Sequence, residues 1–175
     1  LLLTGVSGVG KSTVTEHLAA LGYPAVDADS PDYSEDIAVP AGELTGLGAG
    51  RDWVWQEAAI RAVLDRPDPL LFLSGCSPNQ GVFSPAFTDI ILLTASPALI
   101  AARLSSRTNN PFGRDPVERA RALALQTEIE PLLRRSATHV IDTSAPLADV
   151  VAEALRVSEV TLPYRSGGWH CRPQP

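Results

Sequence analysis

Three groups of residues in this chain have the types and spacing needed to handle a phosphate. Gly5-Val6-Ser7-Gly8-Val9-Gly10-Lys11-Ser12 fits the pattern GxxxxGK[ST]. Glycines let successive backbone N–H groups curl around an anion, and a helix beginning at the lysine adds positive potential. Lys11 is then placed to reach the β- and γ-phosphates of a nucleotide, and the Ser12 hydroxyl to meet a divalent cation. Asp27-Ala28-Asp29 sets two carboxylates two positions apart, so in an extended segment both lie on one side. One suits a magnesium ion, and the other suits an acceptor hydroxyl and its proton. Arg103 and Arg107 stand four apart, which places them on one helix face, and Arg114 follows a glycine-containing loop. Planar multidentate cations on a closable loop are what an anionic phosphoryl-transfer transition state needs.

The elements that must position these residues are read from apolar periodicity. Short apolar runs at Leu1–Thr4, Ala25–Asp27, Leu70–Leu73, Ile90–Leu93 and Val140-Ile141 read as five strands. Several lack polar alternation, which marks strands covered on both faces. Helical stripes lie between them: Val14, Leu18 and Leu21; Trp55, Ala58, Ala59, Ala62 and Val63; a helix from Ser96-Pro97 to about Arg107; a long helix from about Pro116 to Arg134; and Leu147 to Leu155. Asp52 is expected to cap the second of these helices. Residues 30–50, rich in Pro, Gly and acids, read as loop with at most one helical turn. Alternating strands and helices predict a parallel sheet with helices on both faces.

Composition narrows the functional classes. The 175 residues carry a net charge of -6, which argues against a general nucleic-acid or membrane-surface binder. No apolar run approaches the length of a membrane span. Two cysteines, Cys76 and Cys171, form neither a disulfide framework nor a metal spacing. A reduced, cytoplasmic protein is expected, acting on a small molecule as a monomer or homodimer. The chain opens without methionine, so a residue or two of the first strand is expected to be missing. Among the 14 basic residues, thirteen are arginine and the one lysine is Lys11. A slim ammonium threads beside phosphates where a planar fork does not, so this is the position where arginine is no conservative replacement.

The run LLLTGVSGVGKSTVTEHLAALGYPAVDADS resembles the opening of small-molecule kinases of the adenylate, shikimate and gluconate kinase type, and LAALGYPAVDAD is similar to dephospho-coenzyme A kinase. The resemblance covers about residues 1–157. It implies a three-layer α/β/α P-loop NTPase fold with a five-stranded parallel sheet and a lid at about 107–115. It also implies ATP and Mg²⁺ as cofactors and phosphoryl transfer to a small acceptor bound within about residues 30–80. The candidate nucleotide site comprises Gly5, Ser7, Gly8, Val9, Gly10, Lys11, Ser12 and Thr13. The resemblance adds Arg103 against the adenine, and Thr143 and Pro146 after the last strand. Asp142-Thr143 read locally is equally a helix cap. Catalysis is assigned to Lys11, Asp27, Asp29, Arg107 and Arg114. Ser12 and Asp29 are the candidate metal ligands, and which carboxylate touches metal and which serves as base stays open. The acceptor candidates are Asp29, Arg51, Arg61 and Gly75. Trp53 and Trp55 adjoin them, although Trp55 reads first as core.

The chain departs from each relative in part. The stretch from 30 to 66 is too short for the coenzyme A–binding insert. Ser74-Gly75-Cys76 lacks the full glycine triplet of shikimate kinases, and Arg51-Asp52-Trp53 matches the DRxxW region of gluconate kinases only in part. No Asp ends the third strand and no NKxD occurs, against motor-type and GTP-hydrolysing classes. The competing reading is an NTP-binding hydrolase or switch without an acceptor. Asn109 and Asn110 read either as lid contacts or as turn formers. Residues 158–175 read as a disordered tail, and His170 and Cys171 are given no role.

Overall fold

The computed structural model describes residues 1–40, 42, 45–48, 50–108 and 110–161. The expected tail beyond 161 and Asn109 lie outside the described residues. In chain order the elements are β1 (Leu2–Thr4), α1 (Lys11–Ala20), β2 (Ala25–Asp27), β3 (Ser34–Ala38), β4 (Arg51–Trp55), α2 (Glu57–Leu64), β5 (Phe72–Ser74), a 3₁₀ helix (Gln80–Ala86), β6 (Ile90–Thr94), α3 (Pro97–Ser106), α4 (Pro116–Ser136), β7 (His139–Asp142) and α5 (Leu147–Thr161). Helix α5 runs past the boundary expected at 157.

Five strands form the parallel sheet, in the order β2-β5-β1-β6-β7. Its strands read as unbroken apolar runs because alternate residues feed two different cores. Leu3, Phe72, Ile91 and Leu93 pack with Val14, Leu18, Ile100, Leu104 and Val151, the layer of α1, α3 and α5. Leu2, Leu73 and Ile90 pack with Trp55, Ile60, Val63 and Phe83 on the opposite face. The three-layer α/β/α P-loop NTPase fold is thus formed, and its β1–α1 junction carries the glycine-rich loop.

Two expectations are corrected. Residues 30–50 are not simply loop, because β3 and β4 pair as an antiparallel hairpin, with Ser34 opposite Trp55 and Asp36 opposite Trp53. β3 hides this from sequence because only Ser34 in it is fully buried, so no apolar alternation marks it. Asp52 does not cap a helix: it lies inside β4, and Gln56 precedes α2. Trp55 accordingly ends a strand rather than lining a helix. The hairpin's connecting segment is fixed by Thr45, whose hydroxyl donates to Arg51 O at 2.7 Å and accepts from Gly48 N at 2.8 Å. Arg121 of α4 donates to Leu47 O at 2.8 Å, tying this segment to the far helix. No helix among the described residues is long and apolar enough to cross a membrane.

Candidate active site

The glycine-rich loop is closely packed. Gly5 lies where a Cβ would stand 2.5 Å from Leu93 O and 2.9 Å from a Val9 methyl, and Gly8 and Gly10 have φ of 91° and 102°. These are backbone positions that only glycine adopts without strain. Helix α1 therefore starts on Gly10 with no side-chain cap, and its first N–H groups open toward the loop.

Lys11 is 9% exposed. Its ammonium donates to Gly5 O at 2.9 Å and lies 3.3 Å from Asp29 Oδ2. Burial opposes its charge, but Asp29, Cys76 and Asp27 outweigh burial and hold its pKa above the ordinary lysine value. The two carboxylates divide the neighbourhood between them. Ser12 Oγ donates to Asp27 Oδ2 at 2.6 Å, and Asp27 Oδ1 accepts from the Asp29 backbone N–H at 3.0 Å. Asp29 Oδ1 accepts from Cys76 N at 3.0 Å and from Trp55 Nε1 at 3.1 Å. The carboxylate that meets Ser12 is therefore Asp27, whereas Asp29 faces the lysine.

Gly75 is the floor of this arrangement. A Cβ there would stand 2.6 Å from Asp29 Oδ1 and 2.7 Å from the Trp55 ring. Cys76 is the one described free cysteine. Burial pushes its thiol up, against the lowering influence of Lys11, and it contacts Thr4 and Gly5. A raised thiol is a weaker nucleophile at neutral pH than an ordinary cysteine.

Arg103 joins the phosphate loop to the segment after β7. One terminal nitrogen donates to Val9 O at 3.1 Å and to Thr143 Oγ1 at 2.9 Å, and the other donates to Thr143 O at 2.7 Å. The Thr143 hydroxyl itself donates to Val9 O at 2.7 Å. Asp142 does not cap α5: it accepts from Ser144 N at 2.8 Å, and the Ser144 bonds hold its carboxyl below the ordinary range. Pro146 opens the last helix, its carbonyl accepting from Asp149 and Val150.

The remaining candidates stand apart from this cluster. Arg107 is the first residue past α3, so it does not share a helix face with Arg103. It donates through Nε to Phe112 O at 3.0 Å and lies over the Phe112 ring. Burial lowers its pKa, with Arg114 adding to that. Arg114 donates to the carbonyls of Arg107 and Thr108 at 3.0 and 3.1 Å. Both thus bind the backbone of residues 107–115. Arg51 pairs with Asp36 at 2.9 Å on the exposed hairpin, and Arg61 pairs with Glu57 at 3.6 Å and lies over Phe83. Neither touches the two carboxylates. The indoles of Trp53 and Trp55 do reach Asp29, a role the sequence shows only as an alternating W-V-W at a strand end.

No group of three or more metal-ligating His, Cys, Asp or Glu side chains is formed among the described residues. Ser12 and Asp27 offer one hydroxyl and one carboxylate with oxygens 2.6 Å apart. That oxygen-only pair fits magnesium, which keeps several waters and takes one or two protein ligands plus phosphates.

No family model matches the chain. It is 30% identical over 151 residues to the shikimate kinase of Mycobacterium avium (strain 104), covering 82% of this chain and 83% of that one. It is also 30% identical over 163 residues to the shikimate kinase of Limosilactobacillus fermentum, covering 89% and 92%. The solved shikimate kinase from Acinetobacter baumannii in complex with shikimate is 22% identical and covers 91% of this chain and 92% of its own, with a TM-score of 0.58.

Proposed function

Since the chain belongs to the shikimate kinase family, we propose that it transfers the terminal phosphoryl group of ATP to a hydroxyl of a small polyhydroxylated acid, magnesium-dependently and under a closing lid. Membership makes it an ATP-using small-molecule kinase, and shikimate is the first acceptor to test. The observation that carries the reading is the contiguous set Ser12–Asp27 and Lys11–Asp29 at the start of α1 and the end of β2.

Gly5 to Thr13 wrap the phosphates, with Lys11 leaving Gly5 O and Asp29 to meet them. Ser12 and Asp27 would hold a magnesium ion, which would supply positive charge to offset that of the phosphates. Asp29 Oδ2 accepts the acceptor's hydroxyl hydrogen. The hydroxyl oxygen then bonds to the γ-phosphorus as the bond to the bridging oxygen breaks, so ADP leaves and Asp29 takes the proton. Arg103 and Thr143 fix the nucleotide edge of the site. Arg107 and Arg114 exchange their carbonyl partners for phosphate oxygens as the lid closes.

The test is a coupled assay for ADP with Mg·ATP and a panel of shikimate, gluconate, nucleoside monophosphates and dephospho-coenzyme A. ADP formation stimulated by shikimate and stopped by EDTA is the expected result. ADP release that no acceptor stimulates would overturn it in favour of a hydrolase, and preference for another panel member would replace the acceptor.

A further inference from the structure

Two indoles of one strand converge on a single residue. Trp53 Nε1 donates to Asp29 O at 2.8 Å, and Trp55 Nε1 donates to Asp29 Oδ1 at 3.1 Å. Their two-residue spacing in β4 puts both rings on one face of the hairpin. Trp55 is itself held at both backbone polar groups. Its N–H donates to Ser77 Oγ at 3.1 Å, its carbonyl accepts from Asn79 Nδ2 at 2.9 Å, and Ser77 and Asn79 bond each other at 2.7 Å.

The geometry treats the two carboxylate oxygens unequally. Oδ1 takes the Trp55 indole and shares the Cys76 N–H, whereas Oδ2 lies toward Lys11. Oδ1 already lies against Gly75, 2.6 Å from where a Cβ would stand, and turning the carboxylate away from this position would break the indole bond. We propose that Trp55 is a positioning residue, assisted by Trp53, that locks the Asp29 carboxylate so that one chosen oxygen, Oδ2, faces the acceptor hydroxyl. The proposal rests on the reading of Asp29 given above. It makes the β3–β4 hairpin an orienting device for the reacting group, not merely a wall of the acceptor cleft.

The test has two arms. In the first, the indole N–H resonances are followed by ¹H–¹⁵N NMR in the full chain, with Trp55→Phe and Trp53→Phe used for assignment. Asp29→Ala, which leaves both tryptophans in place, is expected to shift the Trp55 signal and speed its exchange with solvent. An unmoved signal overturns the proposal. In the second, turnover is measured with shikimate, or with whichever panel compound the wild type phosphorylates. Trp55→Phe is expected to lower kcat about tenfold or more, as loss of a hydrogen bond to a charged group does. The KM for ATP is expected to stay within about twofold. In an Asp29→Asn background the same substitution is expected to add little, because it acts through that carboxylate. An undiminished effect there, or a wild-type kcat in Trp55→Phe, overturns the proposal. If Asp29→Asn itself leaves kcat unchanged, the role of Asp29 fails and the proposal falls with it, whereas a moved indole signal still establishes the contact. If Trp55→Phe does not fold, sequential assignment identifies the Trp55 indole instead, and an unmoved signal in Asp29→Ala still overturns the proposal.

Discussion

Ser12 and Asp27, fifteen residues apart, meet through a 2.6 Å hydrogen bond from hydroxyl to carboxylate. The bond joins the first turn of α1 to the end of β2 and puts two hard oxygens at one point beside the phosphate loop. Asp27→Asn and Ser12→Ala are each expected to raise the magnesium concentration needed for half-maximal turnover and to lower kcat by about 10²-fold. Magnesium titrations of the two variants, with EDTA as the zero point, check this. An unchanged magnesium dependence in both would remove these residues from the metal site.

Lys11→Ala is expected to reduce turnover by about 10³-fold or more while a cooperative melt is retained. Lys11→Arg is expected to behave almost as badly, since a guanidinium does not fit between Gly5 O and Asp29 Oδ2, where the ammonium sits at 2.9 and 3.3 Å. Steady-state kinetics and circular dichroism on the two variants decide it.

Thr143→Val removes a hydroxyl that donates to Val9 O and accepts from Arg103. It should cost about 1–2 kcal/mol in urea unfolding. If Thr143 lines the nucleotide site as proposed, the variant also raises the KM for ATP more than that for the acceptor.

Gly75→Ala is expected to leave ATP binding near wild type in calorimetry and to cut kcat/KM for the acceptor. The added Cβ would displace Asp29 Oδ1 or the Trp55 ring, 2.6 and 2.7 Å away. Wild-type acceptor kinetics in this variant would show that the floor of the site is not crowded.

Burial raises the Cys76 thiol above its ordinary value, with Lys11 acting against it. The neutral thiol therefore contributes stability that is complete below the unfolded value of about 8.5 and is lost as pH rises through the folded one. Cys76→Ala should flatten the fall in unfolding free energy above about pH 8.5. Lys11, also raised, would add its loss only above the ordinary lysine value of about 10.4. Urea denaturation across that range is the measurement.

Much of this site is legible in the chain itself because its parts are local. Gly5 to Ser12 are contiguous, and Asp27 and Asp29 sit at the end of a buried strand whose position periodicity gives. What sequence conceals is long-range. The hairpin shows no apolar stripe, since β3 is largely exposed, and Asp52 in front of a helical run looks the same whether it caps that run or precedes it by a strand. That Arg107 and Arg114 hold carbonyls of their own loop follows from where α3 stops, and helix ends are poorly marked in sequence. The division of labour between Asp27 and Asp29 depends on Ser12 and Trp55, 15 and 26 residues away from them respectively.

The bond from Arg121 to Leu47 O gives the molecule a mechanical property. Helix α4 begins right after residues 107–115, and Leu47 lies in the segment that joins the strands of the hairpin. The hairpin's connecting segment and helix α4 are therefore stitched together, and moving one away from the other breaks that stitch. Any side chain at position 48 would press on it, since a Cβ there would stand 2.5 Å from the Arg121 guanidinium carbon. This tie holds the outer end of the hairpin to α4 through a contact that includes none of Lys11, Asp27 and Asp29.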